Sequence, residues 1–157
     1  MIERLLLVVW ATAAAGFDAR HHRLPNWLTL GGLAVGAVYA LVRGTSLLGG
    51  DPLYALLSAA IGFLALFPAY LAGWMGAGDV KLYAAMGMLG GGKVLLPALL
   101  VGSLVSGLGA LALMALNRGH VPGRPLPFGV GLAVGFALAV LDILPVLDMS
   151  PMFAARG

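Results

Sequence analysis

Apolar residues fill this chain in six blocks, and short polar stretches between them hold most of its charges. The blocks run over residues 2–17, 27–42, 52–72, 79–89, 94–116 and 128–147. Crossing a bilayer as a helix takes about 20 residues, within a range of roughly 17–25. The first two blocks are slightly short and the fourth is clearly short. Two readings follow for the fourth: Gly90-Gly91-Gly92 lies within the membrane, or the helix begins before Gly76. The pattern predicts an all-α, polytopic integral membrane protein of about six transmembrane helices, with residues 1–157 as a single membrane-embedded domain.

Composition agrees. Of 157 residues, 61% are hydrophobic and only 10% charged, where a soluble domain carries about 25% charged residues. Mean hydropathy is +1.02. The net charge of +3 comes from nine Lys and Arg against six acids. So few charges read as topology signals, not as a nucleic-acid surface. The absence of Cys excludes disulfides, CxxC zinc sites and thiol nucleophiles. Gly supplies 24 residues, about twice the usual share of ~7%, and small residues let membrane helices approach closely.

The first block resembles a signal sequence, with Ala13-Ala14-Ala15 as an Ala-x-Ala site. Glu3 beside Arg4 weakens its basic end, and Arg20 and Arg23 resist translocation. An uncleaved first helix is expected. The charges then sort by side. The odd loops hold Arg20, Arg23, Lys81, Arg118 and Arg124, with His21, His22 and His120. The other side holds Arg4, Arg43, Lys93 and Arg156. Glu3 is expected to offset Arg4, and Asp51 shares a loop with Arg43. The positive-inside bias places the odd loops in the cytoplasm. Gly32-Leu33-Ala34-Val35-Gly36 recurs as Gly131-Leu132-Ala133-Val134-Gly135. Both GxxxG patterns read as helix-packing surfaces.

Two acids stand out, because a carboxylate at the edge of an apolar span is costly and needs a reason. Asp18 closes the first block, and the loop runs on to Pro25-Asn26. Proline fixes its own φ and disfavours helix at Leu24, so that loop is short and stiff. Asp79 lies in Gly76-Ala77-Gly78-Asp79-Val80-Lys81. Taken singly, Asp18 reads as a solvated partner of Arg20 and Asp79 as a helix N-cap. Taken together they form a candidate acid/base pair. Without Cβ atoms, Gly76 and Gly78 let the backbone lie against another segment and leave room for an extended substrate. The positive end of its helix favours a charged Asp79, the expected base, and the opposite end makes Asp18 the expected proton donor. Such a pair lets one carboxylate take a proton from water while the other serves the scissile carbonyl. No metal or cofactor is needed. The adjacent His21 and His22 lack the i, i+4 spacing of a zinc pair. Lys81 is expected about 200° around the helix from Asp79, serving as an anchor. Asp142 and Asp148, on the far side, read as structural.

Asp18 with Pro25-Asn26, the Gly76–Lys81 run and Pro125-Leu126-Pro127-Phe128-Gly129 resemble the prepilin (type IV leader) peptidases, the GxGD aspartic proteases of membranes. The resemblance covers nearly the whole chain. It implies that Asp18 and Asp79 are catalytic, with Gly76, Gly78, Pro25, Asn26, Pro127 and Phe128 forming the active-site loops and substrate approach. It implies a prepilin or pseudopilin substrate with a short basic leader and a hydrophobic helix, cut on the cytoplasmic side of the inner membrane. Longer members carry a CxxC-bearing domain and also N-methylate their product. This chain has no Cys, and peptidase activity alone is expected, as in the short forms serving tight-adherence pili. The presenilin group is a weaker match: Phe17-Asp18 and Pro97-Ala98-Leu99 imitate its motifs, but Pro97 follows Asp79 too closely. Two other classes compete. One is a small transporter or channel subunit moving protons or cations over the paired acids. The other is a structural membrane partner in a secretion assembly.

Overall fold

A computed structural model describes residues 1–21, 23–116 and 128–143. Among these, every regular element is a helix. They run α1 (Ile2–His21), α2 (Asn26–Arg43), α3 (Pro52–Leu71), α4 (Ala77–Gly90), α5 (Gly92–Leu116) and α6 (Phe128–Val140). Two of them, α3 and α5, are long and apolar enough to cross a membrane.

The helix boundaries follow local chemistry. The Asp51 carboxylate accepts the Leu53 N–H at 2.6 Å and caps α3, with Pro52 at the first helical position. Gly44, at φ 67°, closes α2 in the left-handed conformation. Pro25, at φ −68°, opens α2. α4 starts at Ala77, after Gly76, which rules out an earlier start. At 14 residues it is about 21 Å long, short of the ~30 Å hydrocarbon core. Gly91, at φ 70°, separates it from α5. Gly90 and Gly91 are buried inside the protein, and Tyr54 packs on Gly91 and Gly92. α6 ends at Val140, short of residue 147, where Asp142 adopts φ 54°. Residues 144–157 lie outside the described set, as do His22, Arg118, His120 and Arg124–Pro127.

α4 is the centre of the bundle. Ten of its residues are buried, and it packs against α2, α3, α5 and α6. Its sequence shows no polar face for that reason. Close approach depends on glycine. A Cβ on Gly87 would lie 2.5 Å from the Ser58 carbonyl oxygen of α3. Both GxxxG patterns are packing faces: Gly32 meets Trp10, Gly36 meets Met88, Gly131 meets Gly102 and Gly135 meets Ala98. α1 buries Leu7, Ala11, Ala14 and Asp18 and packs mainly on α6, which also packs on α5.

Polar groups collect at the two ends. At one end Arg4 pairs with Asp142, and Tyr39 donates to Glu3 at 2.5 Å. Glu3 and Arg4 thus make their contacts with residues distant in sequence. Lys93 reaches the Leu48 carbonyl at 3.4 Å. The C-terminus of α1 and the N-termini of α2, α4 and α6 share the other end, where Asp18, Asn26, Asp79 and Gly129 gather.

Candidate functional site

Asp18 does not lie in a loop. α1 continues through it to His21, and the side chain is 5% exposed. Burying a carboxylate is costly unless hydrogen bonds replace water. One replacement comes from α6, whose Val130 N–H donates to Asp18 Oδ2 at 3.1 Å. The first N–H groups of a helix have no intrahelical acceptor, so this donor costs α6 nothing. It also brings the positive end of α6 to Asp18. Asp18 was expected to sit only at the negative end of its own helix. That reading omitted α6.

Asp79 is not the N-cap of α4. Gly76 holds that position, and Asp79 follows in the first turn. A Cβ on Gly76 would make ordinary contact with Asp79 Oδ2 at 3.7 Å and meet no other helix, so Gly76 makes no close helix approach. Gly78 does make the expected close approach: its Cβ would lie 3.0 Å from Leu24 Cβ. The stiff segment before Pro25 therefore packs on the first turn of α4.

The two acids converge at Gly129. A Cβ built there would be 2.8 Å from Asp18 Oδ2 and 3.2 Å from Asp79 Oδ1. The two oxygens are thus no farther apart than the sum of those distances. They are near enough to face a single substrate bond.

Two clefts meet at this pair, and Asp18, Gly76 and Asp79 line both. The larger, about 450 Å³, is mostly apolar. Trp74, Met75 and Phe128 stand around it, with Ala69 of α3 opposite Ser103, Ser106, Gly107 and Ala110 of α5. Those α5 residues fall at i, i+3, i+4 and i+7, a small-residue face. The smaller cleft, about 290 Å³, is lined by Arg23, Leu24, Asn26, Ala77, Gly78 and Lys81. Lys81 donates to Asn26 Oδ1 at 3.0 Å. Its backbone position is turned away from Asp79, as expected, but its long side chain returns to the cleft.

The structure thus brings Asp18, Asn26, Gly76, Gly78, Asp79 and Phe128 together. Pro25 shapes the start of α2 without lining a cleft. Pro127 lies outside the described residues. Sequence reasoning missed Val130 and the α5 face. The spacing of Ser103, Ser106, Gly107 and Ala110 was the available signal for that face, whereas nothing local marks an amide. Pro97-Ala98-Leu99 lies in α5, with Pro97 against Gly135 and away from both clefts. Among the described residues, no group of three or more His, Asp or Glu gathers as metal ligands would. His21 packs beside Phe17.

The type IV leader peptidase family matches this chain over residues 5–111. Curated relatives called prepilin leader peptidase/N-methyltransferase are similar along most of it. The Xanthomonas campestris pv. campestris protein is 37% identical over 143 residues, covering 83% of this chain and 46% of the relative. That of Aeromonas salmonicida is 36% identical over 144 residues, 87% of this chain and 48% of the relative. That of Bacillus subtilis is 42% identical over 94 residues, 58% of this chain and 38% of the relative. The chain spans about half the length of these proteins. No solved structure matches it. A family match through more than half the sequence, with the Gly76–Asp79 motif inside it, makes this chain a member of the type IV leader peptidase family.

Proposed function

We propose that this protein is a multi-pass inner-membrane aspartic endopeptidase that removes the leader from prepilins or pseudopilins on the cytoplasmic side. The convergence of Asp18 and Asp79 at Gly129 carries the reading. The relatives' name, prepilin leader peptidase, supports the substrate class; the methyl-transfer half of that name is not carried over. The six helices form the membrane domain. The short α4 is sheathed by its neighbours and needs no lipid contact of its own. The polar end with Arg23 and Lys81 faces the cytoplasm.

The two clefts suit a substrate with one polar and one apolar flank. The hydrophobic helix of the prepilin lies in the cleft between α3 and α5, against the small-residue face of α5. The leader side leaves through the cleft of Asn26 and Lys81. The scissile bond then crosses the two acids. One carboxylate takes a proton from a water held between them, and the water oxygen attacks the carbonyl carbon. The other, protonated, hydrogen-bonds the carbonyl oxygen. As the C–N bond breaks, a proton passes to the leaving amine. Both acids lie at one end of the bundle, which favours peptide chemistry at the interface over ion transfer through the middle.

The test is co-expression with a prepilin, following leader removal on a gel. Asp18→Asn and Asp79→Asn should each abolish processing. Asp51→Asn should process normally, since Asn caps α3 about as well as Asp. Full processing by Asp79→Asn would end the proposal. Ion flux lost in the two variants, with processing intact, would favour a transporter.

A further inference from the structure

The acids sit on α1 and α4, yet both of those helices pack on α6. The spacing between the carboxylates therefore depends on a third element. The first turn of α6 touches both. At Gly129 a side chain is absent where a Cβ would stand 2.8 Å from Asp18 Oδ2 and 3.2 Å from Asp79 Oδ1. At Val130 a backbone N–H holds Asp18 Oδ2 at 3.1 Å. The atom that a Cβ would meet is neither the free end of a flexible chain nor solvated. It belongs to a buried carboxylate already held by an amide.

We infer that Gly129 and Val130 form a positioning turn that sets the separation of Asp18 and Asp79 for the shared attack on one carbonyl. The inference rests on the proposed catalytic role of that pair. Gly129 keeps the space between the acids open for the reacting water. Val130 fixes the orientation of Asp18 without spending a helix hydrogen bond. Any side chain at 129 enters that space and drives the oxygens apart, and a misplacement of ~1 Å costs about 100-fold in rate.

Steady-state kinetics of prepilin cleavage by the full chain in detergent test this. Gly129→Ala should lower kcat about 100-fold while KM stays near that of the unaltered protein and the chain still folds. Val130→Pro removes the donor and sets its Cδ in place of the N–H, against Asp18 Oδ2, so it should lower kcat as well. Unaltered kcat in either variant overturns the inference. So does a rise in KM alone, which would make the turn a wall of the substrate cleft. Unfolding of both variants overturns it too, by making the turn purely structural. Asp18→Asn and Asp79→Asn run in parallel. If they are inactive while Gly129→Ala and Val130→Pro cleave normally, only this inference falls. If they cleave normally, the peptidase reading falls with it.

Discussion

Replacing Asp18 in two different ways separates its chemistry from its structural work. Asn has nearly the same shape as Asp, and its Oδ1 can still accept the Val130 N–H that now reaches Asp18 Oδ2 at 3.1 Å. Asp18→Asn therefore keeps the α1–α6 contact and loses only proton transfer. Positioned acid/base groups contribute about 10²–10⁴ in rate, so leader removal should fall below about 1% of normal. Asp18→Ala also abolishes cleavage, but it strands a part-buried donor. An unsatisfied buried donor costs about 1–3 kcal/mol. The Ala variant should be less stable than the Asn variant by roughly that amount. Thermal unfolding in one detergent compares the two, and a gel-based processing assay reads the rate. Equal stability of the two variants would refute the structural part of the argument. Processing by Asp18→Asn at more than a tenth of the normal rate would refute the chemical part.

Other outcomes follow from single contacts. Gly87→Ala should destabilise the protein despite the better helix propensity of Ala. Its Cβ would sit 2.5 Å from the Ser58 carbonyl oxygen, and overpacking costs about 1–3 kcal/mol against ~1 kcal/mol gained; a raised melting temperature would contradict this. Tyr83→Phe should cost about 1–2 kcal/mol, because the buried Tyr83 hydroxyl donates to the Leu95 carbonyl at 2.6 Å and ties α4 to α5; chemical denaturation would detect it. Gly107→Leu should not destabilise the protein, since nothing lies within 4 Å of a Cβ there and Leu is the better helix former. It should raise KM for a prepilin about tenfold, the cost of filling part of the α3–α5 cleft (about 1.4 kcal/mol); an unchanged KM would remove the substrate helix from that cleft.

The helices were legible because long apolar blocks and their punctuation are local signals. Pro52 behind Asp51, Pro25 and Gly44 mark helix ends by their own backbone preferences. The GxxxG faces were legible for the same reason. The end of α1 was not. Asp18, Arg20 and His21 look like loop because they are polar, and only the docking of α6 makes burial of Asp18 affordable. The contacts of Glu3 and Arg4 were not legible either, because Tyr39 and Asp142 reach them from distant parts of the chain. The candidate acids were found by their scarcity and their glycines. The turn beside them joins the Val130 amide, which no sequence pattern marks, to Gly129, whose place against both acids only the fold reveals.

The hydrogen bond between Val130 and Asp18 joins groups 112 positions apart, which has a consequence during translation. A nascent chain that has emerged only through α5 carries both acids but lacks the segment that seats the first of them. On the proposed peptidase reading, competence therefore waits until that segment has been made. Products of premature termination upstream of that segment would be inert toward cargo already waiting at the membrane.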